Sequence, residues 1–406
     1  MLIKTVKDVS VKGKKVFARV DFNVPLNENG EIIADVKIKA ALPTIRYLLA
    51  EGASVILASH LGRPKGKIDE KLRLTPVAER LRELCGAEVI KADEVVGPQV
   101  EQLAANLQPG QILLLENVRF HPGEKANDPQ LAKAYAQLAE LFVSDAFGTA
   151  HRAHASNVGV AAFLPAVAGF LMEKEITALS RSLHNPQKPV VAIVGGSKIT
   201  DKINVLNNFL TFADAILLGG GMANTFLRAK GYKMGKSLLE PDQVGQAKEI
   251  MEKAQVCGVN LCLPVDLTVA TDLHDEKGAE NVPAGAVPQD KMALDIGEKT
   301  RAVFAEQIKA AKTIVWNGPL GVFEVSAFAQ GTIAVAKAVA AGDAFSIIGG
   351  GDVVAAVEQA GVSEQISHLS TGGGATLEFW EGKELPGIAV LQDKQGGKYA
   401  NTIDCG

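Results

Sequence analysis

The sequence predicts an α/β protein made of two doubly wound parallel-sheet domains joined by a hinge helix. Three observations carry this reading. The chain has 406 residues, more than one hydrophobic core usually organises. Apolar runs without alternation, such as VVAIV at 190–194, recur along it, as expected of strands covered on both faces. Each run is followed first by polar or glycine-rich residues and then by a helical pattern, the βαβ order that implies parallel strands. The expected divisions are residues 1–168, a hinge helix over 169–185, a second domain over 186–385 and a terminal segment from 386 that packs back toward the first domain and ends in a loose tail.

In the first domain strands are expected at 15–20, 54–59, 88–90, 112–115 and 141–144, with helices over 38–51, 75–84 and 129–140. The Thr75-Pro76 pair marks a helix start. The strand ends carry Arg19, Asp21 and Asn23; then His60 and Arg63; then Glu116, Asn117 and Arg119; then Asp145, Thr149, His151, Arg152 and His154. Ligands of open parallel sheets bind beyond the carboxyl ends of the strands, so these groups should share one rim. Arginine and histidine with few acids suit a small, multiply charged anion, because a guanidinium grips phosphate or carboxylate through two parallel hydrogen bonds. Each residue also has a plainer reading. Arg119 could pair with Glu116, Asp21 could be a buried turn acceptor, and His154 could satisfy a core hydrogen bond.

Between the halves Met172, Ile176, Leu179 and Leu183 recur at helical spacing up to Asn185-Pro186. A helix between two ligand rims is where a hinge would act. The second domain opens on VVAIVGGSKITDK at 190–202. Ser197, Thr200 and Asp201 are candidate caps for a helix with Ile203, Leu206, Leu210 and Ala213 on its buried face, and Lys198 and Lys202 then share its first turn. Glycine-bearing strand ends return at Gly219–Gly221, at Asn317-Gly318, at Gly349–Gly351 before Asp352, and at Gly372–Gly374. Glycines let backbone N–H groups approach a phosphate at a helix N-terminus, and five such turns on one rim describe one crevice. A further strand is expected at 259–265; Asp266 and Thr268 then either help hold a nucleotide or start a loop, and residues 271–293 read as an exposed excursion.

Composition limits the alternatives. Hydrophobic residues make up 47% and charged residues 22% of the chain, as in soluble globular enzymes. The net charge of -4 argues against nucleic-acid binding, and with residues 1–168 only near +2 any anion site is expected to be local. No apolar run is long enough to span a membrane and the first residues lack a signal-peptide pattern, so a cytoplasmic protein is expected. Cys85, Cys257, Cys262 and Cys405 show no metal spacing and read as reduced thiols. GYKMGKS at 231–237 has too few residues between its glycines for a P-loop, and no GxGxxG follows the first strand of either half.

The surviving layout, a glycine-walled nucleotide site and an Arg/His-lined acid site, resembles the phosphoglycerate kinase family. The resemblance is carried in order by RVDFNVPL (19–26), SHLGRPKG (59–66), LLENVRFHPGE (114–124), DAFGTAHRAHAS (145–156), AIVGGSKITDK (192–202), GGGMANTF (219–226), LPVD (263–266), WNGPLGVFE (316–324), GGGD (349–352) and STGGGATLE (370–378). It implies two Rossmann-like domains in a monomer, reversible phosphoryl transfer between 1,3-bisphosphoglycerate and MgADP, and hinge closure. By residue, it implies that Asp21, Asn23, Lys37, His60, Arg63, Arg119 and Arg152 hold phosphoglycerate. Gly196, Lys202, Gly220, Asn317, Glu324, Gly349, Gly350, Gly351 and Asp352 fall to the nucleotide, with Glu324 on the ribose and Asp352 near Mg2+. Lys198, Lys37 and the Gly372 and Gly373 amides would follow the moving phosphoryl group. Two positions depart from the family pattern: Lys37 stands where arginine is usual, and Val353 where threonine is usual. The tail past Leu391 is also longer than the pattern leads one to expect.

Overall fold

The computed structural model describes residues 3–394. Its first unit runs to Thr177 and takes the chain back from Glu384, while Ala178–Lys383 forms the second. The division falls inside one continuous helix.

Along the first unit the elements are β1 (Lys15–Val20), α1 (Val36–Ala50), β2 (Ser54–Ala58), α2 (Thr75–Cys85), β3 (Val89–Lys91), α3 (Pro98–Asn106), β4 (Ile112–Leu114), α4 (Pro129–Gln137), β5 (Leu141–Asp145), β6 (Ala166–Ala168) and α5 (Phe170–Leu183). The strands lie side by side as β3-β4-β2-β1-β5-β6, all parallel. Every residue of β2, β4 and β5 is buried, which is why these runs show no alternation. α4 starts where Asp128 accepts the Gln130 and Leu131 N–H groups, with Pro129 at the position that needs no donor. α2 ends at Gly86 in the left-handed conformation. α3 and β6 are additions to the sequence reading; α3 is a short helix with only Val100 and Ala104 buried, too little periodicity to detect.

The second unit continues with β7 (Val190–Val194), α6 (Ile203–Phe209), β8 (Ala215–Leu218), α7 (Gly220–Ala229), α8 (Val244–Val256), β9 (Asn260–Cys262), β10 (Asp266–Ala270), β11 (Glu280–Pro283), β12 (Met292–Ile296), α9 (Glu298–Ala310), β13 (Thr313–Asn317), α10 (Gln330–Ala340), β14 (Phe345–Gly349), α11 (Gly351–Gln359), β15 (His368–Ser370) and α12 (Gly374–Trp380). Its main sheet has the parallel order β15-β14-β13-β7-β8-β9. The five glycine-bearing strand ends therefore do share one rim. A core of Val191, Ile193, Trp316, Phe304, Val335 and their neighbours fills one side of the sheet.

Three expectations change here. The run 259–265 is not one strand: it breaks at Leu263-Pro264, and Asp266 opens β10 in a separate antiparallel sheet of order β11-β10-β12. Residues 271–293 are only in part an excursion, because β11 and the start of β12 fold onto β10 and bury Ala284 and Val287 against Leu227 and Met234. Asp266 does not start a loop; its carboxylate is committed to the Lys299 and Thr300 N–H groups at 3.0 and 2.8 Å and so caps α9. Thr268 donates to Asn281 across the new sheet.

The terminal segment returns as α13 (Pro386–Ala389), where Gly387 N donates to Ala150 O at 2.8 Å. Gln392 continues into the first unit through Ala166 O and Lys4 N, and Lys394 meets Asp8 at 3.2 Å. The expected looseness therefore fails for residues 392–394, and the rest of the tail, with Cys405, lies outside the described residues. Cys85, Cys257 and Cys262 are free thiols. Among the described residues no helix is long and apolar enough to cross a membrane.

Asp145 ties the end of β5 to the start of α5, its Oδ1 accepting Leu171 N at 2.9 Å and Met172 N at 3.3 Å. Burial pushes this carboxyl up to about 7, and no neighbouring cation opposes it. The folded chain then holds the proton more tightly than the unfolded chain, whose aspartate titrates near 3.9. This group's stabilising contribution is therefore complete below about pH 4 and is lost as pH rises to about 7. Asp145→Asn keeps the Oδ1 acceptor without the charge. Urea unfolding at pH 5 and 8 should show wild type losing stability relative to the variant by about 1–3 kcal/mol at the higher pH; equal pH slopes would mean that Asp145 titrates normally.

Candidate functional site

In the first unit the expected residues ring the carboxyl ends of β1, β2, β4 and β5. Asp21 follows β1 directly, and its Oδ2 pairs with Lys37 Nζ on the first turn of α1 at 2.9 Å. Asp21 Oδ1 accepts the Asn23 N–H at 3.1 Å, so the turn-acceptor reading of Asp21 holds beside the ion pair. Asn23 in turn accepts the Gly62 N–H at 2.8 Å, tying the β1 turn to the loop after β2. Arg119 Nη1 donates to Gly62 O at 2.8 Å from the other side, while its Nε is buried with no hydrogen-bond partner. Arg63 on the same loop is exposed and pairs with none of the described carboxylates. Arg152, after β5, donates from Nε to His151 Nε2 at 3.0 Å.

The alternative pairing of Arg119 with Glu116 does not form. Glu116 is 1% exposed and fully engaged by Lys91 at 2.6 Å, Arg73 at 3.1 Å and the Leu74 and Asn117 N–H groups. It braces the loop from below, and Asn117 completes the brace through Leu61 and Leu72.

This rim is cationic through arginine and lysine. Burial, then Arg19, Arg119, Lys37 and Arg152, holds His60 well below the usual imidazole range. Burial and the neighbouring arginines push His151 down to about 4 and His154 to about 3. All three rings are therefore neutral at pH 7, and Arg119, pushed down to about 10 by burial and then by Arg19 and Arg152, stays charged. Such a surface can bind an anion without losing charge between pH 6 and 8.

In the second unit the rim is built from backbone. Gly220 has φ +68°, and a Cβ there would lie 2.6 Å from Gly196 O, so the two turns touch main chain to main chain. Asn317 at the end of β13 donates to Gly349 O at 2.5 Å and accepts from Lys202 Nζ, linking three strand ends. Burial lowers the Lys202 pKa, with Asp201 and Asp352 opposing. Gly351 opens α11, with Asp352 exposed in its first turn. Gly372 N donates to Ser370 Oγ at 3.2 Å, and Gly373, with φ +53°, precedes α12. Beside these turns lies a cavity of about 440 Å³ lined by Gly196, Gly220, Leu238, Leu320, Glu324 and Asp352, among others. Apolar walls with a carboxylate at the edge suit a planar base and a ribose.

Lys198 is exposed in the loop before α6, not in a helical turn. The helix begins only at Ile203, and Ser197, Thr200 and Asp201 do not cap it. The reason is Glu240, whose carboxylate accepts the Ile199 N–H at 2.5 Å, the Thr200 N–H at 3.2 Å and the Thr200 hydroxyl at 2.7 Å. Lys198 and Lys202 therefore point by loop geometry rather than by helical spacing. Glu240 escaped the sequence reading, as did Glu124 and Ser156 beneath the first rim. All three act from distant loops, and only Glu124, at the end of LLENVRFHPGE, and Ser156, at the end of DAFGTAHRAHAS, gave any local signal.

A family model described as phosphoglycerate kinase matches residues 6–383. The phosphoglycerate kinase of Moorella thermoacetica is 56% identical over 390 residues, covering 96% of this chain and 99% of the relative. That of Pelotomaculum thermopropionicum is 54% identical over 394 residues, covering 97% and 100%. Among solved structures, phosphoglycerate kinase from Coxiella burnetii superposes with a TM-score of 0.89 at 45% identity, covering 96% of this chain and 98% of that one. The enzyme from Pyrococcus horikoshii gives 0.83 at 36%, with the same coverage. With sequence and fold matched along nearly the whole chain, this protein belongs to the phosphoglycerate kinase family and is a glycolytic phosphotransfer kinase.

Proposed function

We propose that the chain transfers the acyl phosphate of 1,3-bisphosphoglycerate reversibly to MgADP, giving 3-phosphoglycerate and MgATP, by in-line displacement after α5 acts as a hinge. The observation that carries this reading is the division of labour between the rims: fixed guanidinium groups in one unit and a glycine-walled cavity with two lysines in the other. Phosphoglycerate is held by Asp21, Asn23, His60, Arg63, Arg119 and Arg152, with Lys37 at its carboxyl end. The nucleotide occupies the cavity, its ribose on Glu324 and its phosphates over Gly196, Gly220, Lys202, Asn317 and the 349–351 turn.

Transfer between a phosphate and a carboxylate asks for alignment and charge neutralisation more than for a base, since the acceptor carboxylate is already ionised at pH 7. Lys198 is the mobile cation for the equatorial oxygens, helped by the Gly372 and Gly373 amides once Gly372 turns from Ser370. Burial makes Lys202 a weakly solvated partner for the nucleotide phosphates. Among the described residues no cluster of three or more acids, histidines or cysteines forms a metal cage. A single exposed oxygen donor, Asp352, fits Mg2+ that arrives already bound to nucleotide phosphates and water. Bound there, Mg2+ would neutralise phosphate charge. The protein is read as a cytoplasmic monomer.

Lys198→Ala should lower kcat about 10²- to 10³-fold with a much smaller change in KM, measured with 3-phosphoglycerate and MgATP through a coupled dehydrogenase. EDTA should abolish turnover of both proteins. Wild type that binds both ligands yet turns over no faster than the variant would make the chain a binding protein. Lys37→Arg should raise kcat about two- to tenfold, because a planar fork can bridge two oxygens where an ammonium meets one; an unchanged kcat would show that charge alone suffices at position 37.

A further inference from the structure

Beneath the first rim runs a chain of side chains whose proton positions are dictated by one residue. Arg19 is 1% exposed and, as a guanidinium, only donates. Its Nε lies 2.9 Å from Ser156 Oγ, so the hydroxyl accepts there. The hydroxyl proton then goes to Glu124 Oε1 at 2.6 Å, and Glu124 Oε2 accepts the Ser156 N–H at 3.1 Å. With both oxygens accepting, Glu124 is a carboxylate, although burial pushes its pKa up against the pull of Arg19 and Ser156. Toward the surface, Arg19 Nη2 stands 3.1 Å from His60 Nδ1. That nitrogen must accept, so neutral His60 carries its proton on Nε2. Asp21 Oδ1 lies 4.0 Å from the same Nδ1 and would draw the proton there if Arg19 turned away.

Glu124 is fully buried and faces Arg19, Arg119, His154 and Tyr135 rather than the rim surface. We propose that Glu124 and Ser156 are positioning residues which, through Arg19, lock His60 in its Nε2–H tautomer so that the rim meets its ligand with a neutral donor. The proposal rests on the reading of this rim as the phosphoglycerate site. Glu124 offsets the buried charge of Arg19, Ser156 fixes the rotation of its fork, and the fork decides which histidine nitrogen is protonated. A lysine at position 19 could not perform all three tasks, having no fork to hold two partners at set angles.

The test is two-bond 1H–15N correlation of ring-labelled histidines in the full-length protein, with His60 assigned through the missing signals of His60→Gln. Wild type should show an unprotonated Nδ1 and a protonated Nε2. Ser156→Ala should mix the tautomers and raise KM for 3-phosphoglycerate about five- to tenfold, with kcat nearly unchanged. Ser156→Thr, which keeps the hydroxyl, should restore both. Glu124→Gln should act in the same direction; if it fails to fold, Ser156→Ala still decides. A wild-type proton on Nδ1, or His60 signals unchanged in Ser156→Ala, would overturn the proposal. If the tautomer follows the variants while wild type binds no phosphoglycerate, the relay stands and the substrate reading fails.

Discussion

Arg19 lies within β1, where its neighbours Phe17, Ala18 and Val20 have no exposure. A guanidinium cannot shed its proton in such a place, so the surrounding protein has to accommodate the charge, and leaving it unpaired would cost on the order of 3–5 kcal/mol. Much of the first unit's rim follows from that constraint. Glu124 and Ser156 come in from two different loops to meet Arg19. His60 is oriented by what is left of the fork, and Asp21 is free to turn to Lys37. The short π-helical turn Ala155–Gly159, which presents Ser156, is held from the other side by Asn157 on Thr149 O and Arg152 O. One buried cation therefore couples the ends of β1, β2 and β5, and the arginines that face outward stand on a base that is already neutralised.

The second unit solves a different problem with different material. The nucleotide proposed for it needs close approach to main-chain N–H groups and an apolar slot for its base, and charged side chains would obstruct both. The rim is correspondingly rich in backbone, with Asn317 and Lys202 crossing between strand ends. Gly195 shows how tight the assembly is: a Cβ there would lie 2.0 Å from Pro319 O. Asp295 performs the bracing that Glu116 performs in the first unit, its Oδ2 accepting the Gly331 N–H at 2.6 Å. Burial pushes that acid up to about 7 against the pull of the Gly331 and Ile296 N–H groups and of Arg301. The two units thus share an architecture of parallel strands, and each holds a buried acid pushed up to about 7, Asp145 in the first and Asp295 in the second.

What the sequence disclosed follows the range of the interactions involved. Strands such as β7 and β13 were legible because burial on both faces imposes an unbroken apolar run, and the glycines after them were legible because backbone contact excludes every side chain. The sheet of β10, β11 and β12 was not, since β11 is largely exposed and its residues pair only with a strand that is itself short. Lys198 and Lys202 were read as one helical turn because Thr200 and Asp201 are good caps in isolation. Glu240, forty residues away, takes the Thr200 hydroxyl and the adjacent amides and delays the helix to Ile203. Asp266 misled in the opposite sense, accepting the first-turn N–H groups of a helix that begins more than thirty positions later and whose own N-cap, Gly297, has no side chain to offer. Local pattern gave the scaffold and the rims; the acids that set the rims in place are chosen by tertiary contact.

Lys37 stands where the buried-charge base of the rim meets its outward face. Its ammonium is half-buried on the first turn of α1 and meets Asp21 at 2.9 Å. An arginine at this place could keep one edge of its fork on Asp21 and offer the other to a ligand. A lysine has a single nitrogen, so any bond to a ligand has to share the same ammonium with Asp21, though its three protons make such sharing feasible. The compensation available within the rim is Asp21 itself: with one oxygen committed to the Asn23 N–H, its hold on Lys37 is through the second oxygen alone. That one-point pairing places the charge without clamping it, which leaves the remaining protons of the ammonium for the role proposed for Lys37 at the substrate's carboxyl end.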